Sequence, residues 1–440
     1  MSSGSRVAII GAGPAGLAAA YRLASGEATV EIFEAGPHLG GIARSIELWG
    51  RAVDLGPHIF YGGDRRVLEL WRAIIGADGV QLPIRRGIVT HGRVLEYPIR
   101  PLDALMKLPI RRVLRGVLDC VAARWHRGRR AAISAEDWIV HSYGRALYDE
   151  LARSYIEKLW GRPGGEIDAV FVRGLFGAPA AGASAPAGAE VAGATFLYPR
   201  GGASSVWSRM RDRMSERVTI HCNTPVEAIA VQSGRVTGIH AGRATYEVDR
   251  VISTMPLPRL VRTLRDVPST VVDAARQLQT RHVVIVYLLV RQATRLPHLW
   301  LYAYDERLRL GRVSDHRNWA PREASDPESI FTMEYWCSEG DDIWSADDTH
   351  AIAIAAADLH ALEVVGNCHV VDGRVSRVRG ALPVPTLDHA AHLATIRRHV
   401  DAIQGLATIG RHGAFAFSSM TDVMGAGIDA ADRVLDQKNV

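Results

Sequence analysis

Near its N-terminal end, the chain alternates between short apolar runs and a stretch typical of a helix. Residues 7–10 form an apolar run rich in β-branched side chains, and a second such run occupies residues 29–33. Between them, residues 17–25 (LAAAYRLAS) consist mostly of strong helix formers. This order predicts a strand, a helix and a second strand, which is the repeating unit of a parallel sheet covered by helices.

Apolar runs in the second half of the chain predict further strands. They occupy residues 218–221, 236–239, 251–256, 283–290 and 330–336. Residues 351–362 have the pattern of a helix, and residues 425–431 are predicted to open the last helix of the chain. We expect residues 251–256 to re-enter the N-terminal sheet and residues 280–400 to form a second sheet with covering helices.

The middle of the chain, residues 66–195, is predicted to be mainly helical. Ser134 and Asp137 have the spacing of a capping box. One buried helix face is predicted from the positions of Tyr148, Leu151, Tyr155 and Leu159. Residues 177–193 are rich in Ala, Gly and Pro and predict a loop, for which a lid over a site and a plain linker both stay open.

Three glycines follow the first predicted strand, where the predicted helix begins. Gly11, Gly13 and Gly16 have the spacing G-x-G-x-x-G. The first glycine permits a tight turn, the second lets the backbone approach a pyrophosphate, and the third lets the helix pack on the strand. Glu34 ends the second predicted strand, where a carboxylate accepts hydrogen bonds from ribose hydroxyls and repels a 2′-phosphate. These residues predict a site for NAD or FAD rather than NADP.

Composition excludes several classes of protein. Of 440 residues, 48% are hydrophobic and 22% are charged, which is ordinary for a globular protein and excludes a disordered or fibrous chain. The four cysteines are scattered, without metal-ligand spacing, so we expect no metal site and a reducing compartment. The sequence contains neither a long apolar run nor a secretory signal, and a cytoplasmic protein is therefore expected.

A basic segment occupies residues 107–130 and contains seven arginines. Its apolar residues form one stripe of a helix: Val113, Leu114, Val117, Leu118 and Val121. Two interpretations stay open, a solvated basic face on a packed helix and attachment to an anionic membrane surface or a large anionic substrate. Nucleic-acid binding is not expected, because no aromatic-interleaved basic strand accompanies the charge.

The residues after Glu34 distinguish a FAD site from a NAD site. Gly40 and Gly41 follow six residues later with Arg44 behind them, whereas a NAD domain would continue into its next βα unit. This pattern resembles the flavoproteins with two dinucleotide-binding domains, in which the second glycine pair runs back over the pyrophosphate of FAD. The resemblance implies FAD as the cofactor.

Five short motifs follow along the chain: DLGPHIF at residues 54–60, EYP at 96–98, YGRALY at 143–148, YIEKLW at 155–160 and FLYPRGG at 196–202. Their order resembles that of the UDP-galactopyranose mutase and protoporphyrinogen oxidase flavoproteins, which form an amine-oxidase-like superfamily. The resemblance extends over nearly the whole chain. It implies an α/β fold class, with a discontinuous Rossmann-type FAD-binding domain, a helical insertion and a mixed-sheet substrate domain.

The resemblance also implies roles for particular residues. His58 belongs to a loop that lies against the flavin in the mutases, and Tyr155, Lys158 and Trp160 match a stretch that lines their nucleotide-sugar pocket. Arg411 matches an arginine that lies near the flavin and the substrate in the mutases. The resemblance therefore implies a catalytic role for both His58 and Arg411. A purely structural role stays open for His58, Lys158 and Trp160. The residues expected to contact FAD are Gly11, Gly13, Gly16, Glu34, Gly40, Gly41, Arg44, His58, Gly410, Arg411 and Met420.

The sequence departs from the mutases after residues 410–413. The mutases have tyrosines there that bind the diphosphate, whereas this chain has Phe415 and Phe417. Each missing phenol removes a hydrogen-bond donor for phosphate, which contributes about 1 kcal/mol or more when charge-assisted. UDP-galactose itself is therefore not the expected substrate.

No residue pattern for covalent or metal-assisted hydrolysis is visible, so the chemistry is expected to belong to the flavin. We expect a FAD-dependent enzyme that acts on a small, sugar-containing, anionic substrate: a sugar nucleotide or a glycosylated intermediate. Two reactions stay open. Reduced flavin would permit isomerisation of a sugar ring, and oxidised flavin would take hydride from a C–H bond beside an amine or hydroxyl. A non-catalytic flavin-binding protein that docks on a membrane or partner is the alternative from another class.

The expected domains follow from this organisation. The FAD-binding domain comprises residues 1–65, 216–260 and 405–440, because the chain is expected to return to it twice. Residues 66–195 form the helical insertion. Residues 196–215 and 261–404 form the substrate domain.

Overall fold

A computed structural model describes residues 5–60, 63–99, 103, 106–107, 109–125, 132–176, 194–292, 294–320 and 325–436. The predicted loop at 177–193 lies outside these described residues, as do residues 126–130 of the basic segment. The chain forms two compact units. Unit 1 comprises Met1–Val80, Leu197–Gln279 and Asp388–Val440, and unit 2 comprises Gln81–Phe196 and Thr280–Leu387.

The strands are β1 (Arg6–Ile10), β2 (Thr29–Phe33), β3 (Ser45–Leu48), β4 (Arg51–Asp54), β5 (Gly79–Pro83), β6 (Arg86–Thr90), β7 (Arg93–Tyr97), β8 (Thr195–Pro199), β9 (Val218–His221), β10 (Val226–Gln232), β11 (Arg235–Ala241), β12 (Ala244–Glu247), β13 (Arg250–Ser253), β14 (Thr280–Gln292), β15 (Trp300–Ala303), β16 (Arg312–Asp315), β17 (Glu328–Cys337), β18 (Cys368–Pro383) and β19 (Leu406–Thr408).

The α-helices are α1 (Pro14–Leu23), α2 (Arg65–Ile75), α3 (Ile110–Trp125), α4 (Ala135–Tyr143), α5 (Arg145–Leu147), α6 (Arg153–Trp160), α7 (Ala169–Phe176), α8 (Ala203–Asp212), α9 (Leu257–Thr263), α10 (Ser269–Gln277), α11 (Asp342–Ser345), α12 (Asp348–Ala361), α13 (His389–Val400), α14 (Gly410–Gly413) and α15 (Met420–Asp436). A π-helical turn at Tyr148–Ala152 joins α5 to α6. Among the described residues, no helix is both long and apolar enough to cross a membrane.

A five-stranded parallel sheet organises unit 1, with the strand order β19-β13-β1-β2-β9. The central strand β1 is buried on both faces, because Val7 and Ile9 enter one apolar core and Ala8 and Ile10 enter another. This double burial explains why the strand is apolar without alternation. The predicted strand, helix and strand at the start of the chain are confirmed, and β13 returns beside β1 as expected.

Helix α1 packs against its neighbours through close backbone contacts as well as through its buried side chains. A Cβ placed on Gly16 would overlap the carbonyl oxygen of Gly11, and one placed on Gly427 of α15 would overlap the carbonyl oxygen of Ala15. Glycine is therefore required for both contacts. The C-terminal helix lies directly on the helix that follows the glycine turn.

The last helix begins earlier than the sequence predicts. Ser419 and Asp422 form reciprocal hydrogen bonds, with Asp422 N–H donating to Ser419 Oγ at 3.1 Å and Ser419 N–H donating to Asp422 Oδ2 at 3.0 Å. These bonds cap the N-terminus of α15 at Met420. The prediction that residues 425–431 open the helix was wrong, because these residues lie in the helix interior, where Gly427 allows close packing on Ala15.

A seven-stranded sheet organises unit 2, with the order β18-β14-β17-β16-β15-β6-β7. Neighbouring strands are antiparallel except β15 and β6, which are parallel. The strands predicted at 283–290 and 330–336 are confirmed as parts of β14 and β17. The predicted helix at 351–362 is α12, which lies over one face of this sheet and shares its apolar core.

The helices of unit 2 match the sequence analysis closely. Ser134 and Asp137 form the predicted capping box at the start of α4. The predicted buried face is confirmed, since all four of its members are at most 7% exposed: Tyr148, Leu151, Tyr155 and Leu159. The helix is interrupted by the π-helical turn at Tyr148–Ala152, which the apolar spacing did not indicate.

The two units divide the chain differently from the expected domains. Helix α2 belongs to unit 1, because Val67 and Trp71 are buried in its core. The expected helical insertion contains β6 and β7, which join the sheet of unit 2 through β15. Helices α10 and α13 pack in the second apolar core of unit 1, although they were expected in the substrate domain. These assignments depend on contacts between segments far apart in the sequence, which local patterns do not report.

The backbone contact between α15 and α1 yields a test of packing. Replacing Gly427→Ala should lower the free energy of unfolding by about 2 kcal/mol, because the new methyl group has no room beside Ala15. Urea denaturation of the apoprotein measures the change. Gly425→Ala on the same helix is the matched control: its nearest neighbour would lie at 3.4 Å, an ordinary contact, and it should leave stability unchanged or raise it by up to about 1 kcal/mol. Equal effects of the two substitutions would contradict this packing.

Candidate active site

The glycines of unit 1 come together around the N-terminus of α1. Gly40 N–H donates to the carbonyl oxygen of Ala12 at 2.8 Å. Gly41 lies against Gly13, where a Cβ added to Gly41 would stand 3.3 Å from the Gly13 Cα. The second glycine pair thus lies directly on the first glycine turn, and residues from two predicted motifs form one structure.

We call the first glycine turn (residues 11–16) and the glycine pair at residues 40–41 together the double turn. Glu34 and Arg44 stabilise it. Glu34 Oε2 accepts a hydrogen bond from Ala12 N–H and Oε1 accepts one from Gly36 N–H, both at 2.9 Å. Arg44 Nη1 donates to the carbonyl oxygen of Gly41 at 2.8 Å. The acidic and basic residues that the sequence singled out therefore contact the glycine backbone itself.

Thr254 is part of this site and was missed in the sequence analysis. Its Oγ1 donates to the carbonyl oxygen of Ile10 at 2.8 Å, and a Cβ on Gly11 would overlap that hydroxyl. Gly410 approaches the same residue, since its Cβ would lie 3.7 Å from Thr254 Cβ and 3.3 Å from the Cβ of Ala15. The available signal was that Thr254 falls within residues 251–256, which were expected to re-enter the sheet; in the structure it directly follows β13.

The double turn fits a dinucleotide pyrophosphate. Arg44 Nε is buried and has no hydrogen-bond partner among the described residues. A Cβ on Gly13 would meet no described atom within 4 Å, so the backbone here borders open space. Gly13 caps α1 without a side-chain hydrogen bond, which leaves the first N–H groups of the helix directed toward a ligand. A buried cationic nitrogen and uncapped helix N–H groups are the donors that a diphosphate needs.

His58 lies half-buried in the loop between Leu55 and Phe60. Leu55 N–H donates to the carbonyl oxygen of Arg44 at 3.0 Å, so this loop begins next to the double turn. Phe60 closes the loop by stacking on Trp71, with ring centroids 4.0 Å apart. The loop is therefore anchored at both ends within unit 1, and the role of His58 in flavin contact and catalysis stays a prediction.

Arg411 and Met420 lie in the C-terminal part of unit 1. Arg411 Nη2 donates to the carbonyl oxygen of Ser418 at 2.8 Å, and its guanidinium lies 5.3 Å from the centroid of the Phe417 ring. Met420 is the first residue of α15 and packs against the apolar core around α1. Arg411 thus contacts the protein's own backbone, and the predicted cofactor contacts of both residues stay predictions.

Asp54 is a buried carboxyl group just before the His58 loop. It accepts hydrogen bonds from Ser45 Oγ at 2.6 Å, Tyr198 Oη at 3.0 Å and Ala203 N–H at 3.1 Å. These bonds join β4 to β3, to the end of β8 and to the N-terminus of α8. Burial raises the pKa of Asp54 to about 6, against the opposing effect of its hydrogen bonds. A single carboxyl therefore connects three segments of unit 1 and titrates close to neutral pH.

One face of the sheet in unit 2 is aromatic and charged. Successive strand residues point to opposite faces, and Met333 and Tyr335 enter the apolar core beneath α12, so Glu334 and Trp336 lie on the other face. Strand register adds the remaining members of this aromatic face, which we define as Arg86, Tyr97, Trp300, Tyr302, Arg312, Glu334 and Trp336. The regular alternation of residues 331–337 was the sequence signal that could have found it.

The two arginines of the aromatic face are held in different ways. Arg312 forms a bidentate ion pair with Glu334, in which both hydrogen bonds are 2.7 Å long. The guanidinium of Arg86 lies 4.6 Å from the ring centroid of Tyr97 and 5.7 Å from that of Trp300. Glu334 neutralises one cation directly, while the rings stabilise the other through cation–π contacts.

Helix α6 places Tyr155 on the aromatic face. Its ring stacks on Tyr304 at a centroid distance of 4.5 Å and meets Tyr302 and Trp336 edge-on at 5.5 and 5.6 Å. Burial raises the pKa of Tyr155 well above its usual value. The hydroxyl is therefore protonated at neutral pH and can donate a hydrogen bond. Of the three predicted substrate residues, Tyr155 is the one with clear contacts on this face.

Lys158 and Trp160 are held inside unit 2. Lys158 Nζ donates to the carbonyl oxygens of Ala303 at 2.9 Å and Asp305 at 2.7 Å, which ties α6 to the loop after β15. Burial lowers the pKa of Lys158 to about 8. Trp160 is 2% exposed, and its buried Nε1 has no hydrogen-bond partner within the part of the chain that the structure describes. Their predicted contact with substrate stays a prediction.

Arg281 positions the end of α6 and was also missed in the sequence analysis. Its Nη2 donates to the carbonyl oxygens of Trp336 at 2.8 Å and Lys158 at 3.3 Å. The guanidinium fills the space beside Gly161, which adopts a φ of 67° just after the helix. An arginine at a helix C-terminus satisfies free carbonyl groups and interacts favourably with the helix dipole. No local pattern marks such a residue, because the helix it caps lies far away in the sequence.

Comparison with known sequences gives one family and several relatives. The chain matches the family model described as flavin containing amine oxidoreductase over residues 14–435. Coproporphyrinogen III oxidase of Mycobacterium tuberculosis (strain ATCC 25618 / H37Rv) is 25% identical over 416 residues, which cover 88% of this chain and 89% of that protein. Protoporphyrinogen oxidase 2 of Arabidopsis thaliana is 36% identical over 104 residues, covering 23% of this chain and 20% of that protein.

Comparison with solved structures supports the same fold. The crystal structure of reduced UDP-galactopyranose mutase has a TM-score of 0.84 at 19% identity, covering 98% of this chain and 96% of that one. Wild-type putrescine oxidase bound to putrescine has a TM-score of 0.67 at 16% identity, covering 98% and 99%. The predicted α/β fold class and the resemblance to the amine-oxidase-like superfamily are confirmed.

The open space at Gly13 predicts a ligand-specific effect of substitution. Gly13→Ala should change the free energy of unfolding of the apoprotein by less than about 0.5 kcal/mol, because the methyl group meets no described atom. It should weaken FAD binding by roughly tenfold or more, because it occupies the approach of the pyrophosphate. Fluorescence titration of the apoprotein with FAD measures the affinity. Gly340→Ala in unit 2, which also borders open space, is the control, and an unchanged affinity in Gly13→Ala would exclude this position for the pyrophosphate.

The raised pKa of Asp54 predicts a pH dependence of stability. Its pKa is about 6 in the folded protein against an ordinary 3.8. Its contribution to the free energy of unfolding is therefore present in full below pH 3.8 and is lost as pH rises through 6. The free energy of unfolding should therefore fall by up to about 3 kcal/mol between pH 4 and 7 on account of this group. Asp54→Asn should flatten this dependence in urea denaturation of the apoprotein, whereas Glu216→Gln, an exposed carboxyl of the same unit, should not. A slope unaffected by Asp54→Asn would refute the assignment.

Proposed function

Because the chain belongs to the flavin-containing amine oxidoreductases, we propose a FAD-dependent reaction on a sugar-containing substrate, either a sugar nucleotide or a glycosylated intermediate. The chain is a FAD-dependent enzyme. FAD supplies, when bound, a hydride acceptor in its oxidised form and a nucleophilic nitrogen in its reduced form. Gly13, Arg44 and the N-terminus of α1 would hold its pyrophosphate, and Glu34 would face its ribose.

The aromatic face of unit 2 is the observation that carries the substrate proposal. Flat rings such as Tyr155, Tyr302 and Trp336 bind sugar rings and bases by stacking. The protonated hydroxyl of Tyr155 can donate to a sugar oxygen, and the fork of Arg86 suits an anionic group. Rings that stack, a donor and a cation on one face are what a sugar-containing anion requires.

Isomerisation of a sugar ring with reduced flavin is the first proposed reaction. Its support is the resemblance of the Tyr155–Trp160 stretch to that of the galactopyranose mutases, together with the position of Tyr155 on the aromatic face. In this reaction the chain's residues would bind and orient the sugar, and no net oxidation of the substrate would occur. UDP-galactose is not proposed as the substrate, because Phe415 and Phe417 replace the tyrosines expected to bind its diphosphate.

Oxidation by hydride removal is the second candidate, and a separate observation favours it. Lys158 and Arg411, two cations expected near an anionic substrate, both donate to backbone carbonyl groups of the protein. With Phe415 and Phe417 in addition, few groups are available for a diphosphate. A substrate without a diphosphate, oxidised beside an amine or hydroxyl, fits this arrangement. The non-catalytic alternative has no support, because the chain is an enzyme.

One experiment distinguishes the two reactions. The holoenzyme is incubated with a panel of sugar nucleotides and glycosides, with and without dithionite. We expect an isomer of unchanged mass in the dithionite arm only, because isomerisation requires reduced flavin and consumes no electrons. Chromatography and mass spectrometry identify the product, and flavin absorbance is followed in parallel. Loss of two hydrogens with bleaching of oxidised flavin would overturn isomerisation in favour of oxidation. Absence of both products across the panel would overturn the sugar proposal.

A matched pair of variants tests whether the aromatic face binds the substrate. Tyr155→Phe removes only a hydroxyl and should lower kcat/KM by roughly tenfold, the usual effect of one lost hydrogen bond to substrate. Tyr335→Phe is the control, because Tyr335 lies on the opposite face of the same sheet. Flavin absorbance should be unchanged in both variants, and equal activities in both would remove Tyr155 from the substrate site.

A further inference from the structure

The outer side of helix α3 carries large apolar side chains in contact with solvent. Leu114, Leu118 and Val121 are 55%, 69% and 50% exposed, and Met106 shortly before the helix is 73% exposed. Half of the large apolar side chains found exposed among the described residues fall in this short segment. Clustered exposed apolar residues mark an interaction surface rather than a random surface composition.

The exposed residues of α3 share one side of the helix. With 3.6 residues per turn, positions 111, 114, 115, 118 and 121 fall within an arc of roughly 120°. The other side is occupied, since Asp119 accepts a hydrogen bond from Ala146 N–H at 2.8 Å and its backbone lies against Gly144. The helix is thus anchored to α4 and α5 on its inner side. We call its outer side the α3 outer face, defined as Arg111, Leu114, Arg115, Leu118 and Val121.

The α3 outer face is positive as well as apolar. Arg111 and Arg115 are exposed beside the leucines. Between residues 104 and 135, Asp119 is the only acidic residue in the sequence, and it is turned to the inner side. Basic residues alternating with exposed leucines on one helix face match a surface that combines negative charge with an apolar interior.

We propose that the α3 outer face binds the surface of a lipid bilayer that contains anionic headgroups. The leucines and Val121 enter the boundary between headgroups and acyl chains, while Arg111 and Arg115 contact lipid phosphates. A second copy of this chain is a poorer occupant, because an isologous contact would place two positively charged faces against each other. The proposal depends only on this face and holds for either reaction proposed above.

Vesicle binding by the holoenzyme tests the proposal. The wild-type protein should sediment with vesicles of phosphatidylglycerol and phosphatidylcholine and much less with phosphatidylcholine alone, because the arginines require anionic headgroups. The triple variant Leu114→Ser, Leu118→Ser, Val121→Ser should reduce the partition coefficient by at least roughly tenfold. The double variant Arg111→Gln, Arg115→Gln should reduce binding and its sensitivity to salt. All five positions are exposed, so the variants should fold.

The control is Val371→Ser with Leu387→Ser, two other exposed apolar residues of unit 2, at 43% and 45% exposure. It should bind vesicles like the wild type. Failure of the wild type to bind anionic vesicles, or wild-type binding by the triple variant, would overturn the proposal. A change in molecular mass by light scattering in the triple variant would assign the face to a second copy instead. Flavin absorbance and turnover of a soluble substrate should be unchanged in the triple variant, so this test is independent of the proposed reaction.

Discussion

The contact on which unit 1 depends is a close approach of backbones without side chains between them. Gly16 lets α1 lie on the carbonyl of Gly11, and Gly427 lets α15 lie on the carbonyl of Ala15. This packing fixes the N-terminus of α1, where the glycine turn borders open space. The C-terminal helix therefore packs on the helix that follows the first strand, and residues from both ends of the chain lie close together at the candidate FAD site.

The sheet of unit 2 follows a different physical rule. Strand alternation separates its two faces, so one face builds the apolar core beneath α12 and the other gathers rings and charges. The charges are tolerated because each is compensated, as with the bidentate pair of Arg312 and Glu334 and the rings around Arg86. The same alternation that stabilises the sheet thus produces the proposed substrate site.

Local structure was largely predictable. The glycine turn with Glu34, the capping box at Ser134 and the buried face that includes Tyr155 are confirmed, because each depends on residues within one or two helical turns or a single βαβ unit. The start of α15 was predicted wrongly because the role of Gly427 depends on a long-range contact. The local pattern around Gly427 indicated the start of a helix, whereas Gly427 lies inside α15 and contacts Ala15, near the other end of the chain.

The sequence by itself determined the glycine turn and the likeness to a flavoprotein superfamily, and it predicted some of the side chains at the candidate site. It did not determine their partners. Only the tertiary structure decided that Lys158 and Arg411 bind backbone carbonyls, that Arg86 and Arg312 share a face with Tyr155, and that Leu114, Leu118 and Val121 of α3 are exposed. The physical reason is that hydrogen bonds, ring contacts and burial depend on which distant segments become neighbours, and a local pattern carries no information about that pairing.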